Sequence, residues 1–225
     1  MLINADFSRR AVVAAHEYNW VASPQNGVER VMLDRVGAEQ ARATSIVRYA
    51  PDSSFPLHLH PAGEEILVLQ GTFSADGHHF PAGWYLRNPP GSSHQPSSGE
   101  GAVIFVKLQQ MAAQEQAEVR IDTREPAAWH HEGGRAFCPL FSGDAEQVGL
   151  QQLAAHASVL RPESVPGAEL LVVAGDLVAD DGQAYATGSW MRLPAGDGLR
   201  LLAGAHGATV YLKTGHLGHA VSSVA

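Results

Sequence analysis

At 225 residues the chain is long enough for one large or two small domains with buried cores, and its makeup, 45% hydrophobic and 17% charged, is that of an ordinary water-soluble protein. The net charge of −8 divides as −2 over residues 1–110 and −6 over residues 111–225, with no basic stripe or Lys/Arg run, which argues against nucleic acid as a direct partner. No apolar run approaches the ~18 residues of a spanning helix, so no membrane partner is expected.

The opening MLINADFSRR has no apolar h-region after its arginines, and the lone Cys138 precludes an intrachain disulfide. The expectation is a cytoplasmic protein. Along the chain, Gly and Pro punctuate short β-rich runs of strand length. In order, strands are predicted over 42–49 (RATSIVRY), 65–73 (EILVLQGTF), 83–88 (GWYLRN) and 102–108 (AVIFVKL). Further strands are predicted over 154–160 (AAHASVL), 169–178 (ELLVVAGDLV), 188–193 (GSWMRL) and 208–213 (ATVYLK). Between the two groups, residues 108–120 (LQQMAAQEQAEVR) read either as a helix or as a solvated linker. The class is all-β, a sandwich or barrel.

An internal repeat sets the organisation. GEEILVLQGTFSADG (63–77) matches GAELLVVAGDLVADD (167–181), GWYLRNPPG (83–91) matches GSWMRLPAG (188–196), and GAVIFVK (101–107) matches GATVYLK (207–213). The chain is therefore read as one β-domain duplicated, with halves 1–112 and 113–225. The halves differ at one place. PDSSFPLHLHPAG (51–63) shortens to PESVPG (162–167), Ala168 stands for Glu64, and Leu199 stands for His94. The apolar frame and its glycines persist in the second half without these polar residues. His58, His60, Glu64 and His94 are thus expected to form a site rather than part of the scaffold.

Strand alternation points His58 and His60 the same way, and gives Glu64, Ile66 and Val68 one parity with Glu65 on the other. Three imidazoles and a carboxylate converging inside a barrel suit one divalent metal per chain; such donors fit zinc, iron or nickel, and copper also accepts imidazole. Phe55 and Phe105 are candidates for the wall of a small-molecule pocket at that metal. Asn88, just before the turn that leads to His94, is a candidate to hydrogen-bond a metal ligand.

These residues resemble two cupin motifs. His58-x-His60-x3-Glu64-x6-Gly71 resembles the first, and Gly83-x5-Pro89-x-Gly91-x2-His94 is similar to the second, with Ser98 where the second motif often has Asn. GEEILVLQG and RNPPGSSH look most like the cupin domain of ChrR-type anti-sigma factors, a group related to acetylacetone-cleaving dioxygenases. The resemblance implies a duplicated cupin, or bicupin, of double-stranded β-helix (jelly-roll) type. It maps the metal ligands to His58, His60, Glu64 and His94, with zinc as the metal in ChrR-like proteins and ferrous iron in dioxygenase cupins; manganese is a further option. The implied function is a metal-bound sensory or binding module. The alternative is an Fe(II)-dependent dioxygenase that cleaves a small diketone-like or aromatic ketone substrate. In ChrR-type proteins, sigma-factor binding resides in a helical domain with His and Cys ligands. No such pattern precedes Cys138, so a sigma factor is not an expected partner. Cupins commonly pair, and the fused copy is expected to supply that pairing, with a homodimer as the other option.

Other polar residues have plainer readings. Arg87 and Lys107 recur as Arg192 and Lys213 in the half without ligands, so all four are read as structural. Cys138 is read as a buried thiol. His78–His79 and His130–His131 are read as loop residues, and His216 and His219 as a solvated tail.

Overall fold

A computed structural model describes residues 1–38, 40–160 and 167–217. It is almost entirely β: among the described residues the helical segments are two short turns, Ala15–Glu17 and Pro126–Ala128. The chain forms two compact units, Met1–Ala5 with Asn19–Glu125, and Asp6–Tyr18 with Pro126–Ala225.

In the first unit an antiparallel sheet runs in the order Leu2–Ile3, Val28–Val36, Arg42–Tyr49, Ala102–Leu108, Glu64–Ala75, Trp84–Asn88, Val119–Asp122. The far end of the 12-residue strand Glu64–Ala75 also pairs with His78–Pro81 and Pro96–Ser98, so one strand serves both walls of a jelly-roll barrel. Gly71 is where it turns. Its φ is +63°, and a Cβ there would stand 2.0 Å from the carbonyl oxygen of Gly101, so only glycine fits. Gly175 repeats this against Gly207 in the second unit, which explains why both glycines survive in the repeat. The barrel interior holds Val28, Tyr49, Ile66, Val68, Phe73, Phe80, Leu86, Ile104 and Val106.

The second unit repeats the order: His130–Glu132, Arg135–Ser142, Gln147–Leu153, Leu201–Thr214, Ala168–Ala179, Trp190–Leu193, Ala11–Val13. Here the predicted strand over 154–160 is not formed, apart from a bridge from Ser158 to Leu202. Its place in the sheet is taken by Gln147–Leu153, whose edge pairs with Leu201–Thr214 over seven residues, and 154–160 is the turn that follows. Of residues 108–120, no part is helical. Polar side chains on every face leave a helix there nothing to bury. The stretch is irregular up to Glu118 and becomes a strand at Val119.

The units do not divide at a single cut between 112 and 113. Val119–Asp122 lies beyond that point yet extends the first unit's sheet at Trp84–Asn88. Ala11–Val13 lies near the start of the chain yet extends the second unit's sheet at Trp190–Leu193. Each sheet edge that would otherwise present unpaired N–H and C=O groups is closed by a segment that precedes the other unit in sequence.

Both units share a buried polar rung. Glu65 pairs in register with Arg87 and Lys107, and Glu169 with Arg192 and Lys213. Arg87 donates to Glu65 at 3.1 Å and to Glu115 at 2.6 and 2.8 Å; Lys107 donates to Thr44 at 3.0 Å; Lys213 pairs with Glu146 at 3.0 Å. These fully buried cations are compensated structural charges, as their presence in both halves suggested.

Candidate metal centre

His58 and His60 lie on the short strand His58–His60, which pairs with Ser92–His94 so that His94 stands directly opposite His58. Opposed residues of an antiparallel pair project to one side, so three imidazoles gather there. Their ring centroids are 4.9, 4.9 and 4.5 Å apart. The turn after His60 ends at Gly63, φ +78°, and delivers Glu64 as the first residue of Glu64–Ala75. A Cβ at Gly63 would collide with Met111 Sδ at 2.2 Å. Glu64 shares the inward parity of Ile66 and Val68, whereas Glu65 points away and binds Arg87.

One donor atom from each of His58, His60, Glu64 and His94 lies within 4.8 Å of the others. An ion held at ~2.0–2.2 Å separates opposite donors by about 4.4 Å at most, so the cluster needs only a slight contraction to enclose one. The ring nitrogens are oriented for it. His58 Nδ1 donates to the Pro56 carbonyl at 2.9 Å, and His60 Nδ1 meets Ser92 Oγ at 3.2 Å, which leaves each Nε2 for the centre. His60 Nε2 and His94 Nε2 are buried with no hydrogen-bond partner. They face Glu64 Oε2 at 3.5 and 3.4 Å. Buried polar atoms left unmatched are costly, and a cation among them satisfies all at once. The donor set therefore fits a divalent metal.

The protonation states agree. Burial pushes Glu64 up to about 7, against the Asn88 hydrogen bond and the charge of Arg120, which favour the carboxylate. Burial, with His58 beside it, depresses His60 to about 4. Burial, with His60, His58 and Arg120 nearby, depresses His94 to about 3. Without a cation the group is held near neutral, and the 3.4–3.5 Å contacts are not ion pairs.

The other sequence candidates divide. Asn88 reaches the site: its Nδ2 donates to Glu64 Oε2 at 2.9 Å. Phe55 packs edge-on against His58 at 5.2 Å. Phe105 is not brought to the site. It alternates with Ile104 and Val106, which face the barrel interior, and so lies fully buried on the opposite face of the sheet. The interior aromatic near the cluster is Phe73, 6.0 Å from His94. Sequence parity misses Phe73 because the strand shifts register near Gly71. Ser98 closes the second motif by donating to the Thr72 carbonyl at 2.7 Å. Arg120 was hidden in the ambiguous stretch and donates to Asn88 Oδ1 at 2.7 Å.

Elsewhere, Cys138 is fully buried and its thiol is pushed up to about 11 by burial. His78 and His130 begin exposed strands rather than loops. His216 is not solvated: it follows closely on Leu201–Thr214 and is buried against Glu169 at 3.0 Å. His219 and the shortened counterpart segment 162–166 lie outside the described residues. Among the described residues no helix is long and apolar enough to cross a membrane.

Residues 8–112 match the family model of the ChrR Cupin-like domain. Among curated proteins, no sequence matches the chain significantly. Many solved structures share its fold, among them the following three. A candidate dioxygenase from Nostoc punctiforme has a TM-score of 0.70 at 15% identity, covering 95% of this chain and 81% of that one. A candidate glyoxylate-induced protein from Pseudomonas aeruginosa has a TM-score of 0.70 at 16% identity, covering 95% and 90%. A pirin from Escherichia coli in complex with nickel(II) has a TM-score of 0.65 at 13% identity, covering 92% and 98%. The chain thus has the fold of a duplicated cupin, with one metal-suited cluster among the described residues, and its residues 8–112 resemble the cupin domain of ChrR-type proteins.

Proposed function

We propose that the first unit binds one divalent metal through His58, His60, Glu64 and His94 and uses it to hold a small ligand, as a sensory or binding module. The observation that carries this reading is the pair of buried, unpartnered Nε2 atoms of His60 and His94 aimed at Glu64. A bound metal supplies Lewis acidity and positions for an incoming ligand. Zinc and iron both suit the donors. Reconstituted protein should hold about one metal per chain by elemental analysis, because the second unit has Ala168 and Leu199 in place of two ligands. Two tightly held ions per chain would defeat this reading.

A second reading, an iron-dependent dioxygenase acting on a small diketone-like substrate, is supported by His58. This ligand is half-buried while the other three are buried, so a small molecule can approach the cluster from its side. Oxygen uptake by anaerobically iron-loaded protein given a diketone tests it, and retained zinc with no uptake would leave the binding module.

Metal affinity should fall as pH drops below about 7. Glu64, raised to about 7, takes a proton that the metal must displace, at a cost of up to about tenfold per pH unit. His60 and His94, depressed to about 4 and about 3, do not compete until much lower pH. In the metal-free fold the raised Glu64 favours folding below about pH 4.5 and loses that contribution as pH rises through about 7, so stabilisation by metal should grow across this window. Chelator competition between pH 5 and 8 measures this, and a flat profile would contradict it.

A further inference from the structure

The register of the two units extends their comparison beyond the sequence repeat. Arg120 pairs with Leu86 on the first unit's edge strand, and Val12 pairs with Met191 on the second's. Leu86 and Met191 are equivalent in the repeat, so Arg120 and Val12 are too. The counterparts of Glu64, Asn88, His94 and Arg120 are therefore Ala168, Leu193, Leu199 and Val12. All four belong to, or pack against, the second unit's apolar core. Arg120 is thus polar only where the metal ligands are, and it is the one member of the set that is neither a ligand nor in direct contact with one.

Its contacts give it a role. Arg120 Nη2 donates to Asn88 Oδ1 at 2.7 Å, and Asn88 Nδ2 donates to Glu64 Oε2 at 2.9 Å. Arg120 Nη1 is anchored on the carbonyls of Arg87, at 3.1 Å, and Val119, at 2.8 Å. Nη2 also meets Glu118 at 2.8 Å. A carboxamide can turn over, and only its two neighbours decide which way it lies. With the guanidinium on one side, the Asn88 carbonyl must face Arg120 and the NH2 must face Glu64. Reversed, Asn88 would set a carbonyl against a carboxylate and an NH2 against a cation.

We propose that Arg120 is a positioning residue of the metal centre: through Asn88 it orients Glu64 Oε2 toward His60 and His94. This inference rests on the metal-binding reading and adds a residue to it. Groups that hold a ligand from behind typically contribute 10–100-fold to metal affinity. Arg120→Val, which copies the second unit, should weaken cobalt(II) or zinc binding by roughly tenfold and alter the cobalt visible spectrum. Asn88→Leu should produce a similar loss. The double variant should bind no more weakly than Asn88→Leu alone, because Arg120 acts through Asn88. Arg120→Lys, which keeps a donor to Asn88, should recover part of the affinity. The metal-free melting temperature of each variant separates this role from one in folding. Unchanged affinity and spectrum in a folded Arg120→Val protein would overturn the proposal. So would an undiminished loss on the Asn88→Leu background, or a loss that only follows the melting temperature. A wild-type chain that binds no cobalt or zinc would instead defeat the metal reading itself, and the role of Arg120 with it.

Discussion

His94→Leu should yield a protein that folds, melts a few degrees higher than metal-free wild type, and no longer retains a divalent metal. The substitution copies Leu199, which packs on the apolar core of the second unit. It removes a 6%-exposed imidazole whose Nε2 has no hydrogen-bond partner, and an unsatisfied buried polar group costs about 1–3 kcal/mol. For a chain of this length, about 1 kcal/mol moves the melting point by roughly 2–4 °C. Metal binding should suffer more than the 10–100-fold loss expected for an outer hydrogen-bond partner, since a donor itself is gone. Wild type should show the reverse pattern, with a melting point that climbs as metal is added. Thermal melts with and without zinc provide both readouts. If His94→Leu lowered the metal-free melting point substantially, His94 would be part of the scaffold.

Arg87→Met should do the opposite, lowering stability while leaving metal stoichiometry unchanged. Arg87 is completely buried and donates to both Glu65 and Glu115. Removing one partner of a buried ion pair strands the other charge, at a cost of about 3–5 kcal/mol, or on the order of 10 °C in this chain. The double variant Glu65→Leu/Arg87→Met should recover only part of the loss: it removes the stranded Glu65 charge but leaves Glu115 without its guanidinium partner. Loss of metal with unchanged stability would move Arg87 from the scaffold to the site.

The contrast between these two residues was legible in the sequence because the chain contains its own control. Arg87 recurs as Arg192, whereas His94 gives way to Leu199; a side chain needed by the barrel appears twice, and one needed by the site appears once. The spacing His58-x-His60-x3-Glu64 also carried the ligand set, because strand alternation and a glycine turn act between near neighbours. Strand-length segments rich in β-branched and apolar residues, such as Arg42–Tyr49 and Ala102–Leu108, were readable for the same local reason.

What only the tertiary structure decided is non-local. Phe105 is a pocket candidate from sequence, but its alternation with Ile104 and Val106 puts it on the other face, while a register shift near Gly71, invisible to alternation, puts Phe73 beside His94. Residues 108–120 carry no periodicity that reveals a strand, because Val119–Asp122 is an edge strand specified by pairing with Trp84–Asn88. Arg120 could not be assigned without that pairing, nor Val12 recognised as its counterpart, since their equivalence lies in hydrogen-bond register rather than in similarity of side chains. Ligand identity is thus a local property of this sequence. The surroundings that orient those ligands depend on which strands, distant along the chain, the barrel brings side by side.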